Sequence, residues 1–320
     1  MAAPLFDSVI VIDWSAASVR SRGKDSIWMA EARVNRPAPG IRVNLATRAE
    51  AVAVLAERMR RARGAGERLL AAFDFPFGYP VGSAALMTDG GGPPWQATWS
   101  MLGTTIEEAP KNGNNRFQIA AALNARIAAA TGVAPGPFWG RPAALDLADL
   151  PVKKPTGYGD RWPSEFRHVD AAVQAEARRR PSSCWQLFYN PTVGGQALTG
   201  IAALERLRRD PDLSDHLLVW PFETGLAPPE TAAGTTVLAE VYPSLIHRTV
   251  AASTRPGEVR DAAQVRVLAR ALARLDATGA LAPIFSGPDT LTPAERRDIE
   301  VEEAWVLGAG HAAALAAAVG

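Results

Sequence analysis

Along the first eighty residues, short apolar runs alternate with polar turns and one stretch of helical period. Val9-Ile10-Val11-Ile12 is a β-branched run of the kind a buried strand requires, and it ends in Asp13-Trp14-Ser15. A polar loop over residues 18–25 follows. Residues 27–34 and 41–45 predict two more strands, joined by a turn containing Pro37, Pro39 and Gly40. That order gives the sheet an antiparallel start. Thr47 stands as an N-cap with Glu50 three residues on, as in a capping box. Ala51, Val52, Val54, Leu55 and Met59 then recur at helical spacing, up to the basic turn Arg60-Arg61-Ala62-Arg63 and Gly64. Residues 69–73 predict a fourth strand, parallel to the first through a normal crossover. It ends in Asp74-Phe75-Pro76.

Residues 81–233 read differently. They are rich in Trp, Pro, Gly and Asn, with helices predicted over 116–131, 164–180 and 198–209. The expectation is a large helical and loop insertion, an added lobe, in an α/β core formed by residues 1–80 and 234–320. The core resumes at Thr236-Val237-Leu238-Ala239-Glu240, a fifth strand with a carboxylate at its far end. An amphipathic helix over 261–275 carries Val265, Leu268, Leu272 and Leu275 on one stripe. A last helix is predicted over 300–319.

Composition narrows the class. The chain has 320 residues, 48% of them apolar and 21% charged, and a formal net charge of +1. That suits a soluble globular protein with its own core. It offers no global electrostatic pull on nucleic acid, though a local basic face remains open. A single cysteine, Cys184, excludes a disulfide framework and a cysteine-rich zinc site, and points to the cytoplasm. Cys184 itself reads as core. No stretch reads as a membrane span, and no membrane partner is expected. None of His168, His216, His247 and His311 is paired at metal-ligand spacing.

Three times an apolar strand delivers an acid: Asp13, Asp74 and Glu240. Ligands of α/β sheets bind at the carboxyl ends of parallel strands, and neighbouring strands lie about 5 Å apart. Three carboxylates so placed repel unless protons or a cation neutralise them. Mg²⁺ or Mn²⁺, hard cations with a preference for oxygen, fit that role, and such ions serve phosphoryl transfer. The plainer alternative is that individual acids cap helices or pair with arginines.

Other residues invite a ligand. Ser15 follows the first strand and either positions a water or phosphate, or begins a turn. Asn115 precedes a helix as a cap. Arg116 and Arg126 on that helix either grip phosphate or carboxylate, or tie the insertion to the core. Lys153 and Lys154 lie in a loop with Tyr158 and Trp162, a set that suits either a nucleic-acid backbone and its bases or solvent. Val193-Gly194-Gly195-Gln196 can bring backbone close to a phosphate.

The element order, with acids on the first, fourth and fifth strands, resembles the ribonuclease H-like superfamily. More specifically, Val11-Ile12-Asp13-Trp14-Ser15, Asp74-Phe75-Pro76, Asn114-Asn115-Arg116-Phe117 with Asn124-Ala125-Arg126, and Glu240-Val241-Tyr242-Pro243 resemble the motifs of an uncharacterised bacterial family of predicted nucleases, a domain of unknown function. Gly136-Pro137-Phe138-Trp139-Gly140 extends the likeness, which covers most of the chain. The resemblance implies a ribonuclease H-like mixed sheet, three antiparallel strands then parallel ones. It also implies a metal-dependent phosphodiester hydrolase acting on nucleic acid or nucleotide, with Asp13, Asp74 and Glu240 as metal ligands. The superfamily often closes its metal site with an acid from the last core helix. Asp261 and the Glu302-Glu303 pair compete for that place, with Asp261 alternatively a helix-start residue favoured by the dipole. Two other readings stand beside this one. One is a nucleotide-dependent phosphotransferase of the actin and sugar-kinase type. The other is a non-catalytic or pathway protein, in line with the molybdopterin guanine dinucleotide synthesis label that relatives often carry. Two placements are expected: the strands at Val9 and Leu69 as sheet neighbours, and Arg116 facing the carboxylates across a cleft between core and lobe.

Overall fold

The run ahead of Asp13 becomes an inner strand of a six-stranded mixed sheet in the computed structural model, which describes residues 3–35, 40–178 and 180–319. The strands are β1 (Ser8–Asp13), β2 (Ile27–Arg33), β3 (Arg42–Leu45), β4 (Leu69–Phe73), β5 (Leu217–Val219) and β6 (Thr236–Glu240), in the order β3-β2-β1-β4-β6-β5. β2 is antiparallel to both β1 and β3, whereas β1, β4, β6 and β5 run parallel. The strands at Val9 and Leu69 are neighbours, with Val9 opposite Leu70. The fold is thus α/β, with the antiparallel start and parallel continuation that the apolar runs predict.

The helices are α1 (Arg48–Ala65), α2 (Ser83–Met87), α3 (Pro94–Thr105), α4 (Arg116–Thr131), α5 (His168–Ala177), α6 (Gly194–Arg208), α7 (His247–Ser253), α8 (Arg260–Ala277), α9 (Pro293–Asp298) and α10 (Ala312–Ala317). Thr47 caps α1 by accepting from the Glu50 amide at 3.1 Å, and the Glu50 carboxylate reaches back to the Ala46 amide at 2.7 Å. The helix expected over 300–319 does not form. The chain makes one wide turn over Ile299–Glu303, reverses at Ala304, and pairs Val306 with Glu240. Gly308 and Gly310 then take φ of 96° and 91°, which a helix excludes, leaving only α10.

Both faces of the parallel strands are covered, so these strands are apolar throughout rather than alternating. Ile10, Ile12, Leu69, Ala71, Phe73 and Leu238 face one layer, where Leu55 of α1, Trp99 of α3, Phe117 of α4 and Ile201 of α6 pack. Val9, Val11, Leu70, Ala72, Val237 and Ala239 face the other, against Val265, Leu268 and Leu272 of α8. Residues 81–233 share the first core rather than building a separate one, and they add β5, which the sequence reading missed, to the sheet. No helix among the described residues is long and apolar enough to cross a membrane. α8 is fastened to the first strand at its far end, where Asp276 accepts from the amides of Leu5 and Phe6, both at 2.8 Å.

An aromatic cluster carries the strand-end loop of β4. Phe75 lies 5.5 Å from Phe73 and from Phe77 and 5.8 Å from Trp14, between ring centroids. Gly200 of α6 presses on it so closely that a Cβ there would sit 2.4 Å from the Phe75 ring. Gly200→Ala is therefore expected to cost about 1–3 kcal/mol by overpacking, although alanine is the better helix former. A denaturant midpoint equal to or above wild type would contradict this packing.

Candidate functional site

Strand parity decides which acids meet. Asp13 and Asp74 continue the Val9–Val11 and Leu70–Ala72 series, and Ile12 is level with Phe73, so both carboxyls emerge side by side on the α8 side of the sheet. Glu240 is level with Phe73, one residue short of Asp74, and follows Leu238 onto the opposite face. Glu240 therefore does not share a face with Asp13 and Asp74, although it lines one cavity with Asp74. Glu240 accepts from Arg167 Nη2 at 2.7 Å and Nη1 at 2.8 Å, and from the Phe77 amide at 2.9 Å, all of it buried. Burial disfavours the charge on Arg167, but Glu240 and Asp170 beside it more than offset this and keep it protonated. Its charge is met by a guanidinium fork, the arrangement in which a buried pair is tolerated.

Asp261 stands in the first turn of α8 and lines the same cavity as Asp13. Its Oδ2 accepts from the Asp25 amide at 2.8 Å. Burial raises Asp261 above the ordinary carboxylate value, with the Asp25 carboxylate adding to the effect. The competing acids are occupied elsewhere. Glu302 accepts from the amides of Gly82 at 2.9 Å and Ala84 at 2.6 Å, and Glu303 from those of Val81 at 2.8 Å and His168 at 2.7 Å. They hold loop and helix starts.

Asp13 and Asp74 are half-buried and lie close enough to interact directly. Burial first, then the neighbouring Asp74, hold Asp13 well above its ordinary value. Burial pushes Asp74 up to about 6, against the Trp14 amide, which donates to its Oδ1 at 2.7 Å. Neither these two acids nor Asp261 has a lysine, arginine or histidine within ion-pair distance among the described residues. Among the described residues, no group of three or more His, Cys, Asp or Glu is spaced to hold a metal ion. The donor set nevertheless suits a hard divalent cation: all-oxygen, anionic and without an internal counter-charge.

The cleft has two connected halves. One, of about 300 Å³, is lined by Asp13, Ser15, Arg116, Gly195 and Asp261; the other, of about 530 Å³, by Asp74, Arg167, Glu240, Tyr242 and Val193. Asp25, Asn190, Thr192, Gln196 and Gln264 border both. Arg116 lines the same cavity as Asp13 and Asp261. Its Nη1 donates to Ser18 Oγ at 2.9 Å and to Asn114 Oδ1 at 2.8 Å. Ser15 Oγ accepts from the Ala17 amide and donates to the Asp25 carbonyl, both at 3.3 Å, so it holds the turn while lining the cavity.

Asn115, Arg126, Lys153 and Lys154 lie outside both cavities. Asn115 precedes α4 but does not cap it; its side chain instead bonds Thr105 O and the Glu107 amide, both at 2.9 Å. Arg126 pairs with Asp89 at 2.8 Å and donates to Thr88 O at 2.6 Å, which ties α4 to the end of α2. Lys153 is exposed, and Lys154 pairs with Glu165 at 2.5 Å. Val193-Gly194-Gly195-Gln196 is the first turn of α6 rather than a loop.

Sequence reasoning missed two arginines. Arg167 sits in a stretch assigned to helix. Arg48, buried at 1% exposure, grips Glu108 at 2.6 and 2.7 Å and the carbonyls of Ser15, Ala17 and Asn112 at 2.9, 2.8 and 2.6 Å. It locks the loop after β1 to the loop before α4. The only signal in the chain was a basic residue directly after an N-cap, where the helix dipole disfavours it.

Comparison with protein-family models, with curated proteins and with solved structures returns no match.

Proposed function

We propose that this protein is a metal-dependent phosphodiester hydrolase with a ribonuclease H-like sheet, acting on nucleic acid or nucleotide. The observation that carries the reading is the grouping of Asp13, Asp74 and Asp261 at one cleft, on two parallel strand ends and the start of α8, with no cationic partner. The strand order, with the antiparallel pair outside β1 and acids after β1 and β4, supports the superfamily assignment. Mg²⁺ or Mn²⁺ held by these three acids would supply charge neutralisation and a more acidic water.

The chain's own residues do the rest. The Trp14 amide fixes the Asp74 carboxyl, and the Asp25 amide fixes Asp261. Glu240 and Arg167, neutralised against each other, form a rigid floor to the larger half of the cleft. Arg48 sets the loop that carries Ser15. Purified protein is expected to hydrolyse bis(p-nitrophenyl) phosphate or a labelled oligonucleotide with added Mn²⁺ and not with chelator. Asp74→Asn should lower the rate by roughly 10²–10⁴-fold, the range for losing one positioned catalytic group. Metal-independent hydrolysis, or full activity in Asp74→Asn, would remove the basis for the assignment.

A further inference from the structure

Arg116 is a buried cation with no carboxylate in direct contact among the described residues, Glu108 being the nearby acid. It is 7% exposed, no carboxylate lies within ion-pair distance of it, and its Nε is buried with no hydrogen-bond partner. The guanidinium stacks over Phe117 at 4.2 Å and Nη1 bonds Ser18 and Asn114, but neither supplies a counter-charge, and a buried charge without one is costly. Burial, then the nearby Arg48, lower its pKa to about 10. Elsewhere the protein neutralises its buried arginines, as Glu108 does for Arg48 and Glu240 for Arg167.

The N-terminus of α6 meets this guanidinium. α6 has 15 residues, its cap residue Val193 supplies no side-chain acceptor, and the Gly194 amide is taken by Gln186 O at 2.9 Å. The amides of Gly195 and Gln196 have no acceptor among the described residues. Gly195 has no positive φ to explain it; what it lacks is room, since a Cβ would stand 3.2 Å from Arg116 Nε and 3.1 Å from Ala16 Cβ. The glycine lets helix end and guanidinium abut in the lining of the 300 Å³ cavity, which Asp13 and Asp261 also line.

We infer that Arg116 and the first turn of α6 form an oxyanion site that holds a phosphate group of the substrate. A helix start offers backbone donors and a positive dipole end, and arginine offers a planar fork, which together match a tetrahedral oxyanion. The adjoining 530 Å³ half, bordered by Tyr242, Pro191 and Val193, has room for the organic part of the ligand, so the bound group is a phosphate ester. The inference rests on the hydrolase reading for the ligand's identity, while anion binding itself needs no metal.

The test is calorimetric titration and thermal melting of the full chain in chelator, with inorganic phosphate and, at equal ionic strength, acetate. Wild type should bind phosphate at least tenfold more tightly than acetate, with a matching rise in Tm. Arg116→Gln, which removes the charge, and Gly195→Ala, which keeps the charge and fills the gap, should each weaken phosphate at least tenfold. Arg116→Lys should recover only part of the binding, and it replaces Arg116→Gln if that variant does not fold. Equal affinity for acetate and phosphate, no phosphate effect on wild type, or unchanged binding in folded Arg116 and Gly195 variants would each overturn the inference. Phosphate binding without Mn²⁺-dependent hydrolysis would sink the hydrolase reading alone. Hydrolysis without this phosphate binding would sink the oxyanion site alone.

Discussion

Arg167→Met will destabilise the protein by about 3–5 kcal/mol, the range for breaking a buried ion pair by removing one partner. The pair is fully enclosed, both guanidinium Nη atoms reach the Glu240 carboxylate, and Nη1 also donates to Glu303 O at 3.0 Å. The variant leaves Glu240 facing an apolar side chain, with the Phe77 amide as its remaining donor. Glu240 must then bury an unpaired charge or take up a proton. Its folded pKa rises above the unfolded value, so the variant keeps most stability below that unfolded value and loses it as pH rises through the folded one. The deficit should therefore widen from about pH 4 to pH 8. Adding Glu240→Leu should recover most of the loss, because a well-packed apolar pair often matches an ionic one. Denaturant melts of the two single variants and the double variant measure this cycle. A loss below about 1 kcal/mol for Arg167→Met at pH 8 would mean that the pair is solvated.

Asp13→Asn will have the opposite sign in chelator and a larger consequence with metal. Burial first, then repulsion from Asp74, hold Asp13 well above its ordinary value, so its charged form costs stability near neutral pH. Removing that burial cost and repulsion should stabilise metal-free Asp13→Asn, by about 1 kcal/mol at pH 7.5 for each pKa unit relieved. The same change removes one anionic ligand. Mn²⁺ should raise the Tm of wild type and leave that of Asp13→Asn nearly unmoved, with the metal-dependent hydrolysis lost. Paired melts with Mn²⁺ and with chelator decide it. A variant that is less stable in chelator, or that responds to Mn²⁺ as wild type does, would show that Asp13 and Asp74 are not a repelling pair awaiting a cation.

The sheet was legible because its strands are bounded by unambiguous turns and end in acids. What the runs hide is parity. In a half-exposed strand, alternation of polar and apolar residues shows which side chains share a face. β1, β4 and β6 are covered on both sides, so Val9 and Ile10 look alike in sequence although they enter different cores. Glu240 was placed with Asp13 and Asp74 on strand ends alone. The one-residue offset of β6, visible only in Phe73 lying level with Glu240, turns it to the other face. Asp261 was among the candidates because it opens a clear amphipathic helix, but nothing local separates it from Glu302 and Glu303. That choice depends on where α8 docks. Asp25 and Arg48 lie in a polar loop and at a helix start, where charged residues are ordinary, and their roles come from contacts distant in sequence. β5 is too short, at three residues, to stand out within a Pro- and Trp-rich segment.

The two ends of α8 also set an order on biosynthesis. Asp276 grips the backbone just before β1, and Asp261 stands beside Asp13 at that strand's far end. A ribosome releases the N-terminal strand first, yet both fasteners for it lie more than 230 positions later in the chain. Contacts so remote in sequence close slowly, and they cannot close before the polypeptide that supplies them exists. During synthesis β1 therefore emerges with one face bare and no third carboxylate beside Asp13. Asp13 and Asp261 come to line one cavity only when α8 packs on the sheet.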